Sequence, residues 1–284
     1  MQIDTSRRTF LGAAASVAGL AALGTKPASA VIEPEPWGIK LGIATYSLRS
    51  FDRPTAIEML KKLHVKYVSI KDLHLKIGAP AAETKAGRAE FDAAGLVVTS
   101  GGNVDMTKGT SVETLRPQFE YAKAAGLPMM VCAPTKENIK FVEALVKEYD
   151  IRIAIHNHGP EDKHFPTPQS VLDVVRTLDK RCGLCMDIGH SARTGIDVVK
   201  TLAGAKDRLF DMHVKDLTDF TSRDSQVDIG DGKLPFVAIF KELKKQGYTG
   251  CVNMEYEINA KDPMMGMQRS LSYMRGILAA LAAA

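Results

Sequence analysis

The sequence predicts an α/β protein, a (β/α)8 TIM barrel, and three observations support that fold class. Short runs of β-branched and apolar residues alternate with amphipathic helical stretches eight times. Most runs end in polar residues, as buried strands do when they deliver side chains to one end of a sheet. Eight strand-helix units with parallel crossovers close into a barrel. A doubly wound open sheet is the alternative, although no GxGxxG fingerprint opens a helix.

Each predicted strand is a short hydrophobic run. The predicted strands cover residues 40–45, 65–71, 96–100, 129–132, 151–156, 183–187, 209–215 and 251–255. The predicted helices between them cover residues 54–63, 83–94, 112–125, 136–149, 168–179, 195–203, 235–246 and 263–282. Proline suits the first turn of a helix and glycine the position after its end. These positions are held by Pro54, Pro168, Pro235 and Pro263, and by Gly95, Gly126 and Gly247.

The first thirty residues are predicted to be a twin-arginine signal peptide. SRRTFL at residues 6–11 is followed by an apolar run over residues 11–23 and by a small-residue cleavage site that ends at Ala30. The apolar run is shorter than the roughly 20 residues that a membrane-spanning helix needs. Residues 31–284 are then a single catalytic barrel domain, in the periplasm or secreted, with no stable membrane insertion after cleavage.

Composition and charge exclude some functions. The chain has 284 residues, 45% hydrophobic and 25% charged, as is usual for a soluble globular protein. Its net charge of +4 falls to +2 without residues 1–30, which carry Arg7, Arg8, Lys26 and Asp4. Such a balance argues against a nucleic-acid partner. The Ala- and Met-rich last helix is compatible with a homo-oligomer as well as with packing on the barrel.

The four cysteines, Cys132, Cys182, Cys185 and Cys251, fall in or near predicted strands. Cys182 and Cys185 form a single CxxC pair with no second pair, and residues three apart on a strand face opposite sides. We therefore expect all four to be small core residues, because cysteine outside disulfides is often buried. A disulfide remains an alternative in an oxidising compartment.

Polar side chains gather at the predicted strand ends, which meet at one mouth of a barrel. His156 and His158 share one strand face, so both imidazoles are expected to point into one cavity. The other strand ends carry Lys71 with His74, Asn103, Asp187 with His190, His213 with Lys215, and Glu255 with Glu257.

Four of these residues form a mixed nitrogen and oxygen set suited to one divalent metal ion, in the order Mn, Co, Zn, Fe or Mg. The predicted ligands are His156, Asp187, His213 and Glu255, one from each of the last four strands. We favour Glu255 over Glu257 because it lies nearer the middle of its strand. Lys215 shares a face with His213 and would reach a substrate oxygen.

Each assignment has a structural alternative. Asp187 could cap the following helix, and His213 could be a packed strand residue. Lys215 and Asp216 could form a surface ion pair of little energetic weight. DIGDG at residues 228–232 is expected to be a turn, and could also cover the mouth of the barrel.

Four short motifs carry a resemblance to a known family. They are IHNHG at residues 155–159, MDIGH at 186–190, HVKD at 213–216 and MEYE at 254–257. In this order, and at strand ends, they resemble the xylose isomerase-like TIM barrels called sugar phosphate isomerases/epimerases. Relatives of that family include tagatose and psicose epimerases, inosose dehydratases and endonuclease IV. The resemblance covers about the whole chain after residue 30.

The resemblance implies one divalent metal, held by a fifth-strand residue with Asp187, His213 and Glu255, and chelated by vicinal oxygens of a sugar. Many epimerases have a glutamate on the fifth strand, whereas this chain has His156. That difference puts a two-carboxylate epimerase mechanism in doubt. The pattern is closer to secreted members that act on 3-keto-glycosides, in which elimination competes with isomerisation.

The expected reaction begins when a base removes the proton alpha to a sugar carbonyl. We assign the base role to His156 or His158 and the acid role to His190, Lys215 or Glu161, with Glu255 also among the catalytic residues. Lys71, His74, Glu161 and His190 are expected to bind substrate. An exported enzyme would act on a non-phosphorylated sugar or glycoside as an isomerase or epimerase. The alternatives are a lyase or dehydratase, an endonuclease IV-like phosphodiesterase, and a carbohydrate-binding protein without catalysis.

Overall fold

The structure, a computed structural model, describes residues 38–283. Within these residues, eight parallel strands form a closed barrel in which sequential barrel strands are neighbours. They are β1 Lys40–Ala44, β2 Tyr67–Ile70, β3 Val97–Asp105, β4 Met129–Ala133, β5 Arg152–His156, β6 Cys182–Asp187, β7 Leu209–Val214 and, as the eighth barrel strand, β10 Cys251–Met254. The predicted (β/α)8 barrel is confirmed, and the open-sheet alternative is wrong.

Helices connect the strands around the outside of the barrel. They are α1 Arg53–Lys62, α2 Ala81–Ala93, α3 Val112–Ala124, α4 Ile139–Tyr149, α5 Pro168–Val175, α6 Ile188–Ala192, α7 Val198–Ala205, α8 Phe236–Gln246 and α9 Met264–Ala283. The predicted glycine positions are confirmed, because Gly95, Gly126 and Gly247 have φ of +75°, +59° and +65°. Pro54 and Pro168 lie in first helical turns, as predicted.

The parallel register brings the strand ends to one height. His156 on β5 is paired with Cys185 on β6, and Asp187 is paired with His213 on β7. Side chains of these strands are buried on both faces, which matches their nearly continuous hydrophobic sequences. The polar side chains at the carboxyl ends of these strands therefore lie in one layer.

Three short elements were not predicted. Thr45–Leu48 forms one 3-10 turn after β1, and α6 follows β6 directly. A two-stranded antiparallel hairpin, β8 Asp216–Leu217 with β9 Gln226–Val227, follows β7. The turn, the helix and each strand of the hairpin have five residues or fewer, which is too short for hydrophobic periodicity to reveal.

Asp216 explains the turn at residues 228–232. Its carboxylate accepts backbone N–H groups of Gly230, Gly232 and Leu234 over 3.0–3.1 Å. Lys215 and Asp216 are only 3% and 1% exposed, so the surface ion-pair alternative is wrong. The predicted turn is confirmed, and a buried carboxylate fixes it.

The four cysteines are buried and free, as predicted, so the disulfide alternative is wrong for this structure. The predicted signal peptide, residues 1–30, lies outside the described residues. Among residues 38–283, none of the helices is both long and apolar enough to cross a membrane.

Candidate active site

A polar cavity of about 800 Å³ opens at the carboxyl ends of the barrel strands. Most of the residues predicted to form the site line it. Its lining includes Lys71, Asn103, His156, His158, Glu161, His190, Lys215, Glu255 and Glu257. The converging strand ends thus form one shared cavity, as the barrel prediction required.

Four buried side chains form what we call the floor cluster: His156 and Glu255, which line this cavity, and Asp187 and His213, which lie against them. One possible ligand atom from each lies within 4.8 Å of the others. His156 Nε2 lies 3.0 Å from His213 Nδ1 and 3.6 Å from Asp187 Oδ2. His213 Nδ1 lies 3.4 Å from Glu255 Oε1. The structure therefore brings together the four residues predicted as metal ligands.

Asp187 uses its two carboxylate oxygens differently. Oδ1 accepts the backbone N–H of His190 over 2.7 Å and caps α6. Oδ2 is buried and accepts no well-directed hydrogen bond, although Lys215 Nζ lies 3.1 Å away. The helix-cap interpretation is therefore correct for one oxygen, and the second oxygen faces the floor cluster.

Lys215 supplies the positive charge beside this cluster. Its Nζ lies 3.1 Å from Asp187 Oδ2, 2.9 Å from Glu255 Oε2 and 2.5 Å from Glu257 Oε2. Burial alone would lower the pKa of Lys215, but the three carboxylates raise it well above its usual value. Lys215 is therefore a charged residue that donates hydrogen bonds to Glu255 and Glu257 and forms an ion pair with Asp187.

The pKa values of the two floor histidines are shifted in opposite directions. Burial, with help from neighbouring histidines, lowers the pKa of His156 well below its usual value. For His213, the effect of burial is outweighed by the nearby carboxylates, chiefly Glu255, and its pKa is raised. Burial would raise the pKa of Glu255, but Lys215 and His213 hold it well below its usual value. Glu255 is therefore a carboxylate, as a metal ligand must be.

The floor cluster fits a divalent ion by its donor chemistry. A buried carboxylate oxygen without a hydrogen bond, as at Asp187 Oδ2, is costly unless another group satisfies it. Two imidazoles and two carboxylates are donors that Mn, Co, Zn and Fe accept in proteins. The oxygens of Glu255 divide between His213 and Lys215, whereas Glu257 contacts Lys215 alone among these residues. The geometry thus favours Glu255 over Glu257 as the ligand.

His158 lies beside the floor cluster, with its ring centroid 4.3 Å from that of His156. Asn103 Nδ2 lies 2.8 Å from His158 Nε2, and Asp162 Oδ2 lies 3.3 Å from His158 Nδ1. The predicted shared cavity for His156 and His158 is confirmed. Asp162 was not singled out from the sequence, because only the fold of the loop brings it to the ring.

His190 faces the same space and has a partner that the sequence did not reveal. Its ring centroid lies 5.7 Å from that of His158, and burial lowers its pKa to about 4. Arg193 Nη1 lies 3.4 Å from His190 Nδ1, and Arg193 Nη2 donates to Glu161 Oε1. Glu161 therefore lies on the cavity wall as the partner of a buried arginine.

His74 does not line the cavity, so the structure does not support its predicted role in substrate binding. It is 2% exposed, and its Nε2–H donates to Phe51 O over 3.2 Å. Thr45 Oγ1 lies 3.0 Å from Nδ1 and accepts the Lys71 N–H over 2.8 Å. Strand-end position alone misplaced this residue, because the chain turns outward after β2. Lys71 does line the cavity, and its Nζ donates to Asn103 O over 2.6 Å.

The rim of the cavity contains charged residues, of which the sequence singled out only Glu161. Loops bring three basic side chains to the rim, with carboxylates among them. These rim residues are Lys163, Arg193 and Arg223, with Glu161, Asp162 and Asp224. His164 is half-buried and also lines the cavity. No short motif marks these residues, because loops place them.

Comparisons with known proteins agree with this architecture. An uncharacterized protein, MJ1311, of Methanocaldococcus jannaschii is 27% identical over 135 residues, which cover 46% of this chain and 45% of that protein. This chain spans less than half the length of the two curated relatives it matches.

Among solved structures, the IOLI protein with a bound zinc atom is 18% identical, with a TM-score of 0.70, over 85% of this chain and 98% of that chain. A 3-keto-D-glucoside 4-epimerase, YcjR, from E. coli is 17% identical, with a TM-score of 0.66, over 84% of this chain and 99% of that chain. At these identities the likeness concerns the fold. The model of the xylose isomerase-like TIM barrel family matches residues 57–277, and the chain belongs to that family.

Proposed function

We propose that this chain is a divalent-metal-dependent enzyme that removes a proton alpha to a carbonyl of a non-phosphorylated sugar or keto-glycoside. The observation that carries the proposal is the buried floor cluster at the base of a polar cavity, with His158 beside it. A bound ion would supply Lewis acidity toward substrate oxygens. Family membership is consistent with such a site.

His158 is the best candidate for the base. It lies in the cavity but outside the floor cluster, whereas His156 Nε2 is directed at His213 and Asp187. Histidine is the side chain that most often serves as a general base in enzymes. The floor histidines thus hold the metal, and His158 performs the proton transfer.

The other predicted proton donors are already engaged. Lys215 donates to Glu255 and Glu257 and is paired with Asp187, and the Glu161 carboxylate accepts from Arg193. His190 has the Arg193 guanidinium at Nδ1, so its Nε2–H is available to hydrogen-bond a substrate oxygen. This arrangement favours chemistry with one base.

A single base supports particular outcomes. It can return its proton to the neighbouring carbon, which is isomerisation, or pass it to a departing group on the same face, which is elimination. Epimerisation at one carbon needs a second acid on the opposite face. The presence of His156 instead of a glutamate on β5 points in the same direction, and we therefore propose an isomerase or a carbon-oxygen lyase before a two-base epimerase.

The cavity also bears on the substrate and the metal. About 800 Å³ lies toward the upper end of the range for drug-sized ligands, which favours a keto-glycoside over a free monosaccharide. The neighbouring fold of a 3-keto-D-glucoside 4-epimerase is consistent with that class. We propose Mn or Co first and zinc next, since zinc is bound in the IOLI structure. The twin-arginine pattern at residues 6–11 supports export to the periplasm.

The test is proton NMR in deuterium oxide of the Mn- or Co-loaded protein with free sugars, inososes and 3-keto-glucosides. We expect loss of one carbon-bound proton signal, with a rearranged sugar for an isomerase or a new alkene signal for a lyase. His158→Gln should abolish the exchange, while Asp173→Asn on α5, outside the cavity, serves as the control. Ligand-induced shifts without any exchange would contradict catalysis and indicate a carbohydrate-binding protein.

A further inference from the structure

The loop after β5 folds back on His158. The His158 N–H donates to Phe165 O over 3.2 Å, and the Gly159 N–H donates to Pro166 O over 3.1 Å. Gly159 has φ +84°, a conformation that glycine adopts without steric cost. Asp162, near the tip of this loop, therefore returns to the ring of His158.

The carboxylate of Asp162 is held on both sides. Its Oδ1 accepts the backbone N–H groups of His164 over 2.7 Å and Phe165 over 3.0 Å. Its Oδ2 lies 3.3 Å from His158 Nδ1. Burial alone would raise the pKa of Asp162, but hydrogen bonds from His158 and the two amides lower it to about 2. The group facing His158 is therefore an acceptor only.

Two contacts impose one tautomer on His158. Because a carboxylate only accepts, Nδ1 of His158 must carry the hydrogen that faces Asp162. On the other side of the ring, the Asn103 amide nitrogen lies 2.8 Å from Nε2 and can only donate. Nε2 therefore holds the lone pair. One partner lies in β3 and the other in the loop after β5, and both require the same tautomer.

We propose that Asp162 is a positioning residue that fixes His158 as the Nδ1–H tautomer and so makes Nε2 the proton acceptor. This inference rests on the proposed function for its catalytic meaning. In the step, substrate displaces the Asn103 amide from Nε2, the substrate C–H bond breaks, an N–H bond forms at Nε2, and the electron pair moves toward the carbonyl oxygen. A ring in the opposite tautomer has no lone pair at Nε2 to accept that proton.

Asp162→Asn in the full chain tests the proposal. The amide oxygen of the variant can keep the His164 and Phe165 contacts, while its NH2 group replaces Oδ2 and donates to His158 Nδ1. The tautomer is then expected to invert with the loop intact. Asp173→Asn is the matched control, since Asp173 is exposed on α5 and accepts only from Gln169 among the contacts described.

The first measurement is the tautomer, by nitrogen-15 NMR of histidine-labelled, metal-free protein with His158 assigned from His158→Gln. We expect a protonated Nδ1 and an unprotonated Nε2 in the wild type and in Asp173→Asn, and the reverse in Asp162→Asn. An Nε2–H tautomer in the wild type would overturn the proposal, whether or not any variant folds. An unchanged pattern in folded Asp162→Asn would overturn it as well.

The second measurement is kcat on the substrate identified by proton exchange. We expect Asp162→Asn to lower kcat by at least about 100-fold with KM within about threefold, the pattern for a group needed only in the proton-transfer step. Tautomer inversion with unchanged kcat would refute the positioning role. Tautomer inversion in a protein that exchanges no proton from any sugar would uphold the hydrogen-bond assignment and refute the proposed function.

Discussion

The floor and the rim of the cavity are built in different ways. Floor residues are almost fully buried, with Asp187 and His213 at 0% exposed and Glu255 at 9%. Each lies at the carboxyl end of a barrel strand or just after it. Rim residues stand on loops, and the Glu161 side chain is 52% exposed. Strand register fixes the floor, whereas turns and side-chain hydrogen bonds fix the rim.

The energetic consequences differ just as much. A charge on the floor has little access to water, so each carboxylate depends on Lys215 or on an ion. An exposed charge on the rim, such as that of Glu161, is solvated, and its ion pairs contribute little to folding. Stability and metal binding should therefore respond strongly to floor substitutions and weakly to rim substitutions.

Lys215→Met should give the largest effect. Removing the cation leaves Asp187 and Glu255 as buried, uncompensated carboxylates, and breaking a buried pair costs about 3–5 kcal/mol. Urea unfolding in EDTA should show that loss, and saturating Mn²⁺ should restore more stability to the variant than it adds to the wild type. Lys163→Met, on the rim, is the control. A free energy of unfolding within 1 kcal/mol of wild type would contradict the role of Lys215.

Glu255→Gln and Glu257→Gln sharpen the description of the floor. Losing a direct ligand should weaken Mn²⁺ binding by more than the roughly 10–100-fold cost of losing an outer partner, and Glu255 is the carboxylate that we propose as a ligand. Glu257 contacts Lys215 but none of the floor cluster, so Glu257→Gln should weaken Mn²⁺ binding tenfold or less. Titration calorimetry with Mn²⁺ measures both. Equal losses would show that the two carboxylates share the ion.

His74 tests whether burial matters away from the cavity. Burial lowers its pKa to about 4 from the ordinary 6.5, so the unfolded chain takes up a proton first as pH falls. His74 should thus contribute no pH dependence above about pH 7 and cost about 2 kcal/mol of stability at pH 5. Urea unfolding of wild type and His74→Gln from pH 7 to pH 5 measures this. Parallel pH profiles would rule the effect out.

The sequence predicts the floor of the cavity better than it predicts the rim. Hydrophobic runs ending in polar residues located all eight barrel strands, because a buried strand requires a local run of apolar residues. The same patterns placed His156, Asp187, His213 and Glu255 at strand ends. The parallel register of the strands then brings the four side chains together. Their roles as ligands remain predictions.

The failures have one physical cause. Glu161 was named from the sequence and its neighbour Asp162 was not, yet it is Asp162 that contacts His158. Both lie in a loop whose path depends on the backbone hydrogen bonds of His158 and Gly159 to residues seven positions later. His74 failed for a similar reason, because its hydrogen bond to Phe51 O turns it away from the cavity. Periodicity carries no information on such loop contacts.

Arg223→Ala should have the smallest effect and tests the rim itself. Arg223 is exposed, lines the cavity and acts on Glu161 through its charge. Surface substitutions of this kind change the free energy of unfolding by about 0.5 kcal/mol or less, so the thermal midpoint should barely move. If substrate reaches the rim, KM should rise while kcat stays constant, because the residue is remote from the floor cluster. A loss above about 1.5 kcal/mol would show that the rim is part of the folded core, and the contrast between floor and rim would then fail.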